Sequence, residues 1–144
     1  MRPRSKVMRR ILGYGLKFAK PKPRKVEKAK EDREEARVVK EVRALCVERD
    51  GHCRLQWLLR RFPTCPLEPC RGPSEWGHLE GHRRFETMGK PPEERHATAW
   101  TAMFCQGHHH AYDKHDFDIE QITERGADGA LRLRVNGRTY EEIR

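Results

Sequence analysis

Within nine residues, Cys105 to Asp113, the chain places one Cys, three consecutive His and one Asp. Metal donors at that density constrain the fold, because they must either share ions or stay solvated. On a helix, positions three or four apart lie on one face, and neighbours diverge by about 100°. Cys105 and His108 then point one way, and His109 and Asp113 another. One short helix would serve two metal sites, one structural and one reactive. The competing reading is a solvated histidine cluster, but a tag-like run needs neither Cys105 nor Asp113.

A metal staple also suits the composition. The 144 residues are 35% hydrophobic with a mean hydropathy of −1.00, enough for a small core only. Such cores usually need a disulfide or a metal. The count of 5 Cys is odd and they sit near His, which favours zinc and a reducing compartment. No stretch approaches the roughly 20 apolar residues of a membrane span, and no signal-peptide pattern is present. The expected location is therefore cytoplasmic, with no membrane partner. A formal charge of +9 and a pI near 9.6 point to a polyanion, with nucleic acid the usual one. That charge is segregated: residues 1–25 hold ten Lys or Arg and no Asp or Glu.

The chain divides accordingly into a basic arm over 1–26, a domain over 27–115 and a C-terminal β-hairpin extension over 116–144. From Val26 to Arg49, Val38, Val39, Val42, Leu45 and Cys46 form an apolar stripe at helical spacing, closed by Asp50-Gly51. Cys46 lies on that stripe and reads as core. Leu55, Leu58, Leu59 and Phe62 mark a second helix stopped by Pro63. Residues 63–77 are rich in Pro and Gly and carry Cys65 and Cys70, in the manner of a zinc knuckle. Ala99–Phe104 reads as a strand entering Cys105, with the following helix ending near His115. Phe117–Thr123 is a further strand and 126–129 a turn. Leu131, Leu133 and Val135 alternate with Arg132 and Arg134, and Asn136-Gly137 turns that strand back into Thr139-Tyr140.

Laid end to end, the donors read Arg49-Asp50-Gly51-His52-Cys53, Cys65-x4-Cys70, Trp76-Gly77-His78 and Phe104-Cys105-x2-His108-His109. Over residues 45–115 this pattern resembles the HNH nucleases of the ββα-metal class, especially the small phage-encoded ones. The resemblance implies an α+β fold whose ββα-metal core is stapled by structural zinc. Through it, His78 takes the general-base position, and His109 with Asp113 holds a catalytic Mg²⁺ or Mn²⁺. Cys105 and His108 supply half of the zinc site. The other half comes from two of Cys53, Cys65 and Cys70, with Cys53 and Cys70 favoured and Cys65 the competitor. His82 rivals His78 for the base, and His115 shares a helical face with His108 as a reserve ligand. His110 reads as exposed, and His52 as a turn residue.

Two positions depart from the family pattern. Gly77 stands where many members carry another metal ligand. The middle Asn has no counterpart, leaving His96, Thr98 or Thr101 for its tethering role. The implied activity is endonucleolytic hydrolysis of DNA to 5′-phosphate and 3′-hydroxyl ends, by nicking or double-strand cutting. Arg83 and Arg84 are expected at phosphates, and phage packaging proteins are implied as neighbours. The second reading is a decayed HNH zinc module that binds nucleic acid without cleaving it.

Overall fold

The computed structural model describes residues 23–79 and 89–143. Residues 1–22 of the basic arm, together with His82, Arg83 and Arg84, lie outside the described residues. Two compact units divide the chain, Met1–Arg33 and Glu34–Arg144. In the first, residues 24–33 are helical and exposed. Among the described residues no helix is long and apolar enough to cross a membrane.

The architecture is mixed α+β with two small sheets. Helix α1 spans Pro23–Asp50, and its Ala, Glu, Lys and Arg content suits a long helix with one narrow buried edge. Val38 and Cys46 are buried on that edge, whereas Leu45 is 53% exposed and does not belong to the expected stripe. Residues 38, 42 and 46 stack at i, i+4, and Leu45 falls about 100° away from Cys46. Gly51, with φ +69, ends the helix by returning its N–H to the Val47 carbonyl. Helix α2, Arg54–Arg61, buries Leu55 and Leu58 and stops short of Pro63.

Strands β1 (Ser74–His78) and β2 (Thr101–Cys105) pair antiparallel, from Ser74 opposite Cys105 to His78 opposite Thr101. Short helix α3, Pro92–Arg95, and a 3-10 turn at Thr98–Trp100 precede β2. All five residues of β2 are buried, because helices cover both of its faces. Helix α4, Gln106–Asp113, covers the Phe104 face, where Phe104 stacks on His109 and Tyr112 at 6.0 and 5.7 Å. Toward the Thr101 face comes α1, whose Cys46 Sγ lies 3.3 Å from Thr101 Oγ1. Cys46 is thus a fully buried core residue.

Strands β3 (Asp118–Gln121), β4 (Leu131–Val135) and β5 (Arg138–Glu141) form a three-stranded antiparallel sheet. Asn136 and Gly137, at φ +48 and +72, make the tight turn between β4 and β5. The C-terminal segment is not a separate appendage. Phe117, Ile119, Leu131, Leu133, Val135 and Tyr140 belong to the same buried cluster as Cys53, Leu55, Leu58 and Phe104. A charged lattice reinforces that union. Arg54, 2% exposed, bonds Asp50, both carboxylate oxygens of Glu142, and the Ala127 and Gly129 carbonyls. The segment 126–129 includes a 3-10 turn, Gly126–Asp128, whose Asp128 accepts from Arg49.

Candidate metal centre and histidine–carboxylate pairs

Cys53, Cys70, Cys105 and His108 bring their donor atoms within 4.8 Å of one another. His108 Nδ1 lies 3.4, 3.7 and 3.2 Å from the sulfurs of Cys53, Cys70 and Cys105. Tetrahedral zinc, with Zn–S about 2.3 Å and Zn–N about 2.0 Å, spaces such atoms about 3.6 Å apart. The set therefore fits a structural zinc site. Its orientation is fixed from outside: His108 Nε2 donates to the Glu68 carbonyl at 2.8 Å, which leaves Nδ1 as the lone-pair nitrogen facing the sulfurs.

Each ligand has a local reason for its place. Cys53 precedes α2 in extended conformation, so its side chain turns inward. Cys105 caps α4, its sulfur accepting the His108 backbone N–H at 3.4 Å. The Pro-rich loop carrying Cys70 is bound to the same helix end, where Gln106 and Gly107 donate to the Pro73 and Arg71 carbonyls. Burial pushes the Cys53 thiol up. Burial, with Cys53 and Cys105 alongside, pushes Cys70 up to about 12. Burial lowers His108, which favours its neutral form. Thiols raised in this way, as Cys53 and Cys70 are, give up their protons to a bound cation.

Cys65 does not join this group; it packs, 8% exposed, in the apolar cluster. Nor does His115, the expected reserve ligand. Helix α4 ends at Asp113, and His115 follows it exposed with φ +60, so the helical face it was to share with His108 no longer exists. His110 is exposed, and His52 sits in the turn after α1, its carbonyl accepting from Ser74.

His109 occupies the other face of α4. Its Nδ1 donates to Glu75 Oε2 at 2.6 Å, and its Nε2 lies 3.9 Å from Asp113 Oδ2. The bond from His109 draws the Glu75 carboxyl below its usual range. With Nδ1 engaged, Nε2 is the nitrogen open to a ligand, as in a carboxylate–histidine–metal arrangement. Among the described residues, no second group of three or more donors gathers as the Cys/His set does.

Gly77 is explained by the same imidazole. A Cβ at 77 would lie 2.8 Å from His109 Nε2, against the nitrogen that faces Asp113. A residue with a Cβ at this position would take the space that His109 occupies.

His78 stands on the opposite face of β1. Strand alternation puts Glu75 and Gly77 toward α4, and Trp76 and His78 away from it. The Trp76 and His78 rings lie 4.8 Å apart on that second face. His78 Nε2 is 2.9 Å from His96 Nδ1, and His96 Nε2 is 2.9 Å from Glu35 Oε1. His78 and His109 therefore lie on opposite sides of β1, His78 on its far face and His109 on the helix that covers the near one. Of the three residues offered for the missing Asn, His96 touches His78. Thr98 bonds Asp128, and Thr101 bonds the Ala97 carbonyl.

Sequence reasoning missed Glu75 and Glu35. Glu75 was legible in principle, two residues before Gly77 and so on the same strand face. Glu35 was not, since 61 residues separate it from His96. No family model matches the chain, and no curated protein or solved structure matches it.

Proposed function

We propose that this chain is a metal-dependent DNA endonuclease of the HNH type, stapled by zinc on Cys53, Cys70, Cys105 and His108. One observation carries the reading: His109, tied through Nδ1 to Glu75, turns Nε2 toward Asp113 beside a strand that ends in His78. A hairpin followed by a helix bearing these groups is the order the family resemblance implies. The strongly basic arm supplies the counterpart for a phosphate backbone, and Arg83 and Arg84 are assigned contacts there.

His109 and Asp113 would hold Mg²⁺ or Mn²⁺, which when bound neutralises charge on the phosphate and the leaving oxygen. His78 accepts the proton of the attacking water on its imidazole lone pair. Because His78 lies on the far face of β1 and His109 on the helix covering the near face, this reading puts the scissile phosphate at the end of β1. Glu75 holds the His109 ring, and Gly77 keeps its Nε2 uncovered.

The same opposition of faces, with two chain donors for the reactive ion, favours a second reading: a zinc-stapled module that binds DNA without cutting it. Plasmid cleavage in Mg²⁺ or Mn²⁺ separates the two. Wild type is expected to nick or linearise the plasmid, and His78→Ala and His109→Ala to lose about 10²-fold or more in rate. Retarded but uncut DNA, or equal cleavage by both variants, would overturn the nuclease assignment.

A further inference from the structure

We infer that Glu35 and His96 are positioning residues that lock the His78 ring into one tautomer, with its proton on Nε2 and its lone pair on Nδ1. This rests on the nuclease reading for its purpose, while the chain itself rests on two contacts of 2.9 Å. A carboxylate only accepts, so Glu35 Oε1 requires a proton on His96 Nε2, 2.9 Å away. With a single proton on its ring, His96 carries its lone pair on Nδ1, 2.9 Å from His78 Nε2, which then donates to it and keeps its own lone pair on Nδ1. Direction passes from the carboxylate to the terminal imidazole through two bonds, as a carboxylate orients a catalytic histidine in hydrolases.

The surroundings support a defined relay. His96 is 9% exposed, and its ring packs 5.6 Å from Trp76 and 5.1 Å from His78. Arg95 Nη1, 3.3 Å from the same Glu35 oxygen, keeps the carboxyl ionised together with the His96 bond, and Glu35 is held below the usual carboxylate range, the His96 bond being the largest cause. Glu35 comes from α1 and His96 from the cap of α3. His96 lies in the connection between β1 and β2 and Glu35 outside the hairpin, so the relay also ties α1 to the His78 face.

The experiment reads ring ¹⁵N shifts of the zinc-loaded full chain labelled at histidine, with His78→Gln used to assign the His78 signals. Wild type is expected to show His78 protonated at Nε2 and unprotonated at Nδ1 near pH 7.5. Glu35→Ala and His96→Phe are expected to return His78 to a mixture of tautomers, while Glu35→Gln, which keeps an acceptor oxygen, preserves the wild-type pattern. A proton on Nδ1 in wild type, or an unchanged tautomer in Glu35→Ala and His96→Phe alike, would overturn the inference. In cleavage, Glu35→Ala is expected to lower kcat about 10-fold or more, below the about 10²–10⁴-fold worth of a general base. KM should stay within about twofold, and Glu35→Gln should recover most of the rate. An inactive wild type with the ordered tautomer would remove the reaction and leave the relay standing.

Discussion

Cys105→Ser is expected to yield a chain that neither retains zinc nor folds at 25 °C. The argument is one of scale. A structural zinc on such ligands contributes about 10–16 kcal/mol of apparent binding free energy at pH 7, whereas a domain of this size is stable by only about 5–15 kcal/mol. Cys105 stands at the junction of three elements: it ends β2, caps α4 through the His108 N–H, and faces Cys53 and Cys70 across the site. Losing its sulfur therefore unties the Pro-rich loop, the start of α2 and α4 together. Circular dichroism with zinc content on the purified variant checks this, and a folded, zinc-free Cys105→Ser would refute it. Chelator should unfold wild type in the same way. Acid acts in the same direction. Protons compete for thiols that burial already drives upward, so zinc affinity falls as pH is lowered. Cys65→Ser, in contrast, should keep the metal.

The second large effect is expected at Arg54. Arg54→Met keeps the apolar stem but removes the guanidinium from between Asp50 and Glu142, whose side chains are 0% and 4% exposed. Removing one partner of a buried pair costs about 3–5 kcal/mol, enough to lower Tm by more than about 10 °C in a unit of this length. Arg54→Met/Glu142→Leu should regain part of that loss, because replacing both partners by apolar groups is often nearly neutral. Thermal melts of the zinc-loaded single and double variants decide the matter, and a single variant within about 0.5 kcal/mol of wild type would contradict it. The lattice also predicts acid sensitivity. Burial works to raise Asp50, but the hydrogen bond from Arg49 and the charges of Arg54 and Arg49 outweigh it and hold its carboxyl low. A depressed carboxyl contributes stability that is fully present above its ordinary range near about pH 4 and is lost as the pH falls through the folded value.

Much of the local structure was legible in the residues. Periodicity gave α1 and α2, Asn136-Gly137 gave the β4–β5 turn, and the Cys105–His108 spacing gave half of the Cys/His cluster, because each is decided by neighbours within four positions. Where the reading slipped, a distant contact or a backbone detail intervened. His115 left the helix through a left-handed residue, and Leu45 fell outside a stripe narrower than the apolar run suggested. Choosing Cys70 over Cys65 depended on which cysteine the loop brings to His108 and which it packs into the core.

The Cys105–Asp113 stretch by itself determined that one helix carries two faces of donors, since helical geometry fixes the angle between His108 and His109. Only the tertiary structure decided what each face meets. Glu75 reaches His109 because β1 lies beside α4, and Gly77 is small because that imidazole lies across it. Glu35 reaches His96 because the far part of α1 lies toward the hairpin's other face. Such pairings join residues 34 and 61 positions apart, and no periodicity of 2 or 3.6 extends over that distance. Sequence spacing sets the direction in which a side chain leaves its own element; packing sets what it finds there.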